Sequence, residues 1–229
     1  MNPFQDLISL FYPRYCAACG NSLWKHEEVI CTWCDFHLPR TNFHLDPENP
    51  VNRLFWGRVK IENAAAFYFF HKGSRVQHLI HDLKYRGRKD IGNYLGRRFG
   101  FYLNQIPAFR SVELLVPVPL HKTKLMVRGY NQSEQFALGL KTSMKIPVDA
   151  RNLIRTRSSE TQTRKSRFGR WENVSGLFAV TAPERLTGKH ILLVDDVITT
   201  GATLEACAGA LNEVPGVRIS VAAIATSLI

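Results

Sequence analysis

The sequence predicts an α/β fold, a mostly parallel sheet flanked by helices, with a small N-terminal four-cysteine ribbon in front of it. Three observations carry this expectation. From residue 60 onward, short apolar runs of strand length alternate with runs of helical period. Four of the five cysteines and three of the four tryptophans crowd into residues 1–56. Between the two regimes lies Leu45-Asp46-Pro47-Glu48-Asn49-Pro50, which has neither period and reads as a junction. The expected division is a ribbon module with its linker over 1–56 and an α/β domain over 57–229.

The elements follow in order. Ala64–Phe70 reads as a buried strand. Val76, Leu79, Ile80 and Leu83 recur at i, i+3, i+4 and i+7, one face of a helix that ends near Gly87. A second helix is expected over Ile91–Leu103, and Leu114–Val118 is a short apolar strand. Asn131 can cap a helix through Leu140, with Glu134 three residues on. Ile191–Val194 and Val217–Ala225 are two further strands with a helix over Thr203–Leu211 between them. Strand, helix and strand in succession place parallel strands under helices on both faces.

Composition narrows the class. The chain has 229 residues, 45% hydrophobic and 21% charged, with 15 Gly and 11 Pro, which excludes disordered, collagenous and low-complexity chains. At roughly 150 residues per domain it holds one or two. No apolar run approaches the ~20 residues of a membrane span. Met1–Asp6 lacks a basic n-region, and the apolar stretch Leu7–Tyr12 is short and ends at Pro13, so a cytoplasmic, reducing location is expected.

Cys16-x-x-Cys19 and Cys31-x-x-Cys34, eleven residues apart, form two thiolate knuckles able to close one tetrahedral Zn²⁺ site. Disulfides or scattered core cysteines are the alternative, and a reducing compartment disfavours the first. Four thiolates leave no open position, so the expected role is structural. His26 and His37 read as exposed or as outer partners of the site. Cys207, between Leu204 and Leu211, reads as a small buried hydrophobe.

The run Ile191-Leu192-Leu193-Val194-Asp195-Asp196-Val197-Ile198-Thr199-Thr200-Gly201-Ala202-Thr203 is the most informative in the chain. A buried strand delivers two carboxylates to its C-terminal tip, where open α/β sheets bind ligands. Adjacent Asp residues there are costly unless a cation or hydroxyls occupy them. The following Thr-Thr-Gly-Ala-Thr loop enters a helix N-terminus, which favours a phosphate. Carboxylates for ribose hydroxyls or Mg²⁺ and a phosphate cradle beside them fit a ribose 5-phosphate.

Charge is local. The chain carries +11 overall, but residues 1–71 sum to −1, residues 72–170 to +15 and residues 171–229 to −3. An anionic partner near the middle of the chain, nucleic acid or a small polyphosphate, is one reading, and a solvated charged face is the other. Residues 151–170 hold seven Arg or Lys against Glu160 alone and read as a mobile loop.

All thirteen positions of Ile191–Thr203 resemble the signature of type I phosphoribosyltransferases, which bind 5-phosphoribosyl-1-pyrophosphate (PRPP). The resemblance implies that Asp195 and Asp196 are the catalytic pair and hold the ribose hydroxyls, directly or with Mg²⁺. It implies that Thr199, Thr200, Gly201, Ala202 and Thr203 hold the 5-phosphate. Pro117-Val118-Pro119-Leu120-His121-Lys122 stands where the family places its pyrophosphate loop, which makes His121, Lys122, Lys124 and Arg128 candidates. Arg164 and Lys165 join them from the stretch where the family carries a flexible hood. Purine-salvage members have an Asp at the position of Thr199 as a proton acceptor, and a neutral hydroxyl cannot serve so at pH 7, which argues against purine salvage.

The four-Cys ribbon, Leu83-Lys84-Tyr85-Arg86-Gly87-Arg88, Pro117–Leu120, Arg128-Gly129-Tyr130-Asn131-Gln132, Thr163-x-x-x-Ser166-Arg167 and the PRPP signature occur here in one order. That combination resembles the ComF family of competence-associated bacterial proteins, over nearly the whole chain. It implies PRPP binding and a role with single-stranded DNA, in DNA uptake or nucleotide metabolism, with other DNA-uptake proteins as partners. A departure is Thr161-Gln162-Thr163-Arg164-Lys165, basic where an apolar continuation is expected. Two functions follow: an Mg²⁺-dependent phosphoribosyltransferase whose acceptor is unspecified, with residues 57–90 including Tyr68, Tyr85 and Arg86 as acceptor hood; or a PRPP-regulated single-stranded DNA-binding protein that stacks bases on Tyr85, Tyr130 or Trp171.

Overall fold

A computed structural model describes residues 13–156 and 176–228. Four parallel strands form the central sheet: β1 (Asn63–Phe69), β2 (Leu114–Pro117), β5 (His190–Ile198) and β6 (Arg218–Thr226), in the order β1-β6-β5-β2. Between β2 and β5 in sequence, β3 (Leu153–Arg155) and β4 (Phe178–Val180) make a separate antiparallel pair. The two central strands are almost continuously apolar because both of their faces are covered. Leu192 and Val194 of β5 face one core, while Ile191 and Leu193 face the other.

The first core is roofed by α3 (Arg75–Tyr85), α4 (Lys89–Leu103) and α7 (Gln132–Met144), and the short α5 (Pro107–Arg110) adds Phe109 to it. The second is covered by α8 (Ala202–Asn212), α2 (Pro50–Arg53) and the β3-β4 pair. The stripe Val76, Leu79, Ile80 and Leu83 is buried as its spacing requires, and Ser74 caps α3 by accepting from the Gln77 N–H at 3.2 Å. Asn131 caps α7 through the Ser133 N–H at 3.1 Å, and that helix runs past Leu140 to a left-handed Lys145.

The tightest approach in the fold is between α4 and α7. A Cβ on Gly96 would stand 2.2 Å from the Phe136 carbonyl oxygen and 2.8 Å from the Gly139 Cα; one on Gly139 would stand 2.2 Å from the Asn93 carbonyl oxygen. Backbone therefore packs on backbone, which only glycine permits. No periodicity argument finds this, because glycine carries no hydrophobic signal.

The N-terminal ribbon is built into the same framework. Cys16, Ala18, Val29, Ile30, Cys34 and Leu38 share one core with Val76, Leu79 and Leu95. Beyond α1 (Thr32–His37), Arg40 pairs antiparallel with Tyr68, the Thr41 N–H donates to the Phe67 carbonyl at 3.0 Å, and the Phe69 N–H donates to the Pro39 carbonyl at 2.8 Å. This covers the open edge of β1, as residues 147–149 cover the edge of β2 through Leu115.

Two expectations are corrected. The strand at 191–194 continues to Ile198, because β6 runs on to Thr226 and pairs with Asp195, Val197 and Ile198; a strand is as long as its neighbour allows, not as long as its apolar run. The basic segment after β2 is a helix, α6 (Lys122–Arg128), bracketed by His121 at its start and by Gly129 at φ +73° at its end. In the Pro-rich junction a 3₁₀ turn over Phe43–Leu45 leads to α2, and buried Asn49 donates to the Phe43, Asp46 and Ala64 carbonyls while accepting from the Val51 and Asn52 N–H groups.

Gly96→Ala is expected to destabilise the protein by about 3 kcal/mol through overpacking. Gly209→Ala, on the exposed side of α8 with nothing within 4 Å of the new Cβ, should stabilise it by about 0.5–1 kcal/mol. Urea midpoints measure both, and equal shifts in the two variants would contradict the backbone-contact account.

Candidate functional site

Strand β5 delivers Asp195 and Asp196 to a cleft of about 510 Å³ beside α3, α6 and α7. Its floor and walls include Phe70, Ile80, Lys84, Val118, Pro119, Leu120, Lys124, Arg128, Ser133, Arg155, Thr199 and Thr203. The two carboxylates are half-buried. Asp195 accepts from the Ser133 hydroxyl at 3.0 Å and from the Asp196 N–H at 2.8 Å. Asp196 pairs with the Lys84 ammonium at 2.9 Å. Burial first, and the Asp196 charge second, push the Asp195 carboxyl up to about 7, against the pull of those two donors and of Lys84. The pair is thus short of positive charge, and its donor set fits an incoming cation or sugar hydroxyls.

Next to it the chain turns through Thr199, Thr200 and Gly201 into α8. Gly201 is left-handed at φ +72°, which favours glycine, and a Cβ there would also press on the end of the Leu54 side chain at 2.6 Å. Thr199, Thr200, Ala202 and Thr203 are exposed around a depression that also contains Asp195. The unpaired N–H groups and positive dipole of the first turn of α8 face this depression, a favourable place for a phosphate.

The segment 128–132 fastens the cleft together. Arg128 donates to the Gln132 side chain at 2.8 Å and to the Tyr85 hydroxyl at 3.4 Å, and its guanidinium lies 5.1 Å from the centre of the Tyr85 ring. Tyr130 is buried and its hydroxyl donates to the Leu83 carbonyl. The Asn131 amide donates to the Val118 carbonyl at 2.9 Å. The end of α3, the turn after β2 and the start of α7 are therefore tied to one another through this segment.

The second constellation is the cysteine ribbon. The sulfur atoms of Cys16, Cys19, Cys31 and Cys34 all lie within 4.8 Å of one another, those of Cys19 and Cys31 at 3.8 Å, and all four thiols are free. Four thiolates about 2.3 Å from one tetrahedral ion would be about 3.8 Å apart, so the cluster could hold a metal such as zinc. Cys31 caps α1, and its N–H donates to the Cys16 sulfur at 3.2 Å. Burial pushes the Cys16 thiol up, but the N–H donors of Cys31, Cys19 and Ala18 outweigh it and bring the thiol below its usual value; burial leaves Cys31 and Cys34 raised. Glu27 locks the ribbon loop, accepting from the Trp24 and Thr32 N–H groups and the Thr32 hydroxyl, which holds its carboxyl below the usual range.

Of the candidates read from the sequence, Asp195, Asp196, Thr199, Thr203, Lys124 and Arg128 meet in one cleft, with Thr200, Gly201 and Ala202 on the adjoining depression. His121 instead caps α6 by accepting from the Thr123 N–H, and Lys122 is exposed outside the cleft lining. Arg164, Lys165 and Trp171 lie outside the described residues. Two expectations are overturned. Tyr68 is wholly buried and cannot serve an acceptor hood, and Tyr130 is buried on Leu83 and cannot stack a base. His26 and His37 are exposed and Cys207 is buried, as expected. Lys84, Ser133 and Arg155 are site residues that the motif reading did not assign. Ser133 had a signal in its place beside a helix cap, but Lys84 and Arg155 reach the site only through tertiary packing.

Because the Asp195 carboxyl is raised from 3.8 in the unfolded chain to about 7, the folded state holds an extra proton between those values. The stability from this group is full below about pH 4 and is lost as pH rises through 7. Asp195→Asn should abolish that loss and be more stable than wild type at pH 8 in urea titrations. A wild-type chain with no such fall between pH 5 and 8 relative to the variant would contradict the assignment.

Known proteins are similar to this chain. Residues 133–227 match the model of the phosphoribosyl transferase domain. The DNA utilization protein YhgH of Escherichia coli K12 is 29% identical over 207 residues, covering 86% of this chain and 83% of that one. The competence protein ComFC of Bacillus subtilis is 32% identical over 200 residues, covering 87% and 78%. Competence protein F of Haemophilus influenzae is 34% identical over 94 residues, 40% of this chain and 41% of that one. A solved structure of B. subtilis glutamine PRPP amidotransferase with ADP and GMP aligns at a TM-score of 0.41 and 20% identity, over 62% of this chain and 30% of that one. With relatives similar along most of its length, the phosphoribosyl transferase domain and the four-cysteine cluster, the chain belongs to the ComF family.

Proposed function

We propose that the cleft at the end of β5 binds PRPP with Mg²⁺ and that the protein is a phosphoribosyltransferase-type protein of DNA uptake and use. The observation that carries this is the juxtaposition of the carboxylate pair with the Thr199–Thr203 turn at a helix N-terminus, under a wall bearing Lys124 and Arg128. Asp195 and Asp196 hold the ribose hydroxyls, and the turn takes the 5-phosphate through backbone N–H groups and threonine hydroxyls. Lys124, Arg128 and Arg155 face the pyrophosphate end. Mg²⁺, held beside Asp195 and Asp196, would supply positive charge to the departing pyrophosphate. For transfer, the C1–pyrophosphate bond breaks through an oxocarbenium-like state while an acceptor nucleophile bonds to C1, and the chain contributes positioning and charge stabilisation. Replacing both Asp195 and Asp196 by Asn should weaken PRPP binding more than about tenfold, or ~1.4 kcal/mol, with little change of volume. Unchanged affinity in calorimetry would end this reading.

The ribbon, in the same proposal, holds one structural Zn²⁺, since four thiolates close the coordination shell. Elemental analysis should find about one zinc per chain. A Cys19→Ser variant with full zinc content and unchanged melting temperature would contradict it.

A second reading, a PRPP-regulated single-stranded DNA-binding protein, is favoured by a separate groove. About 910 Å³ lies between the first cysteine knuckle and α3, lined by Tyr15, Arg75, His78, His81, Arg86 and Arg88 with Asp82 as its acid. Arg75 stacks on exposed Trp33 with its guanidinium 4.3 Å from the ring centre. A basic track with the exposed Tyr15 ring in its lining suits a flexible strand. Binding of a labelled oligonucleotide should weaken with salt at a log–log slope of about −0.7 per contacted phosphate, and the Arg75→Ala/Arg86→Ala pair should flatten that slope. No binding by wild type at low salt leaves the transferase reading alone. Among the described residues no helix is long and apolar enough to cross a membrane.

A further inference from the structure

Among the described cations that line the cleft, Lys84 is the one within ion-pair distance of the carboxylates. It stands on the last turn of α3, a helix anchored by four buried side chains, next to Leu83, whose carbonyl accepts from the buried Tyr130 hydroxyl. Its backbone is thereby fixed. The side chains of Lys84 and Asp196 are 22% and 14% exposed, so their 2.9 Å contact is poorly screened. Asp82, the acid on this turn, faces Arg86 and His81 and does not compete for the ammonium. An ammonium has three N–H donors. With one on Asp196, two remain for oxygen atoms arriving in the cleft.

We propose that Lys84 is a ligand-binding residue of the sugar-phosphate site, at once a built-in counter-charge on Asp196 and a donor to the incoming oxygen atoms, which lets the cleft accept an anionic phosphoribosyl ligand with less help from a divalent cation. This rests on the phosphoribosyl reading of the cleft. Two adjacent carboxylates repel a ligand that carries a phosphate and a pyrophosphate, and some cation must stand between them. Lys84 occupies that role before any ligand arrives. It does so from an element remote in sequence from the signature run, so the charge balance of the carboxylate pair depends on how α3 packs against the sheet. The other cleft cations are engaged elsewhere or farther off: Arg128 is on Gln132 and Tyr85, and Arg155 lies over Phe178.

The test is calorimetric titration of the full chain with PRPP across a magnesium series that starts from metal-depleted, chelator-free buffer, so that the ribbon is not stripped. Lys84→Met should weaken binding about tenfold without Mg²⁺, the scale of one charge-assisted hydrogen bond. The gap should close to about threefold or less at saturating Mg²⁺, while Lys84→Arg, which keeps the charge, should follow wild type within about threefold across the series. Thermal melting reports whether Lys84→Met is folded, and Lys84→Gln repeats the comparison with a second neutral side chain. A loss that is the same at every Mg²⁺ concentration would mean that Lys84 only holds α3 in place, and it would overturn the inference, as would no loss at all. Wild type that fails to bind PRPP even with saturating Mg²⁺ overturns the phosphoribosyl reading and this inference with it. Wild type that binds, with parallel curves for the neutral variants, overturns the inference alone.

Discussion

Two carboxylates side by side at the end of a buried parallel strand are a standing electrostatic cost, and much of the surrounding structure answers it. Asp195 and Asp196 cannot both ionise freely in a half-buried place. The chain brings a hydroxyl from α7 to the first and an ammonium from α3 to the second, yet the Asp195 carboxyl stays raised to about 7. A stability-optimised sheet would place apolar side chains here. The pair persists where a phosphate-favouring turn and a cationic wall adjoin it, and that coincidence of cost and setting gives the cleft its functional meaning.

Holding those partners in register requires rigid neighbours. The glycine contact between α4 and α7 brings the two helices to backbone distance, so α7, which carries Ser133, has little freedom to slide. Segment 128–132 joins the end of α3 to the turn after β2 and to the start of α7 through Tyr130, Asn131 and Arg128. Lys84 and Ser133 thus reach the same carboxylate pair from two helices tied by that segment. In such a site a change far from the chemistry can move a charge relative to the sheet.

The ribbon is tied to the same framework. Residues 39–41 pair with the edge of β1, and the cysteine residues share their core with α3 and α4. Beneath it, Asp35 joins Arg98 of α4 and Arg40, whose guanidinium also meets the Tyr102 hydroxyl. Helix α3 is consequently a common wall: Ile80 and Lys84 face the cleft, while Arg75, His78 and His81 face the groove beside the first knuckle. A ligand in either place touches the same rigid element.

Local chemistry in the chain was enough for the alternation of strands and helices, the apolar stripe of α3, the cap at Asn131, the cysteine spacing and the Asp195–Thr203 run, because each is a pattern within a few residues that hydrogen-bond geometry or burial forces into one form. It was also enough to pair the carboxylates with the Thr199–Thr203 turn, which are contiguous. It was not enough for the length of β5, which its partner β6 sets, or for helix α6, whose bounds come from His121 and Gly129 rather than from an apolar face. The contact of Gly96 with Gly139 and the burial of Tyr130 were equally hidden, since a small side chain carries no hydrophobic period and an aromatic ring in a polar run reads alike inside and out, whereas the burial of Tyr68 follows from its place in the apolar strand run 64–70. Lys84 is the sharpest case: in the sequence it stands within the Leu83-Lys84-Tyr85-Arg86-Gly87-Arg88 run with no partner indicated, and only the packing of α3 against the sheet decides that its charge lies on Asp196, because a long-range ion pair is fixed by where two backbones meet and not by anything in the residues around either partner.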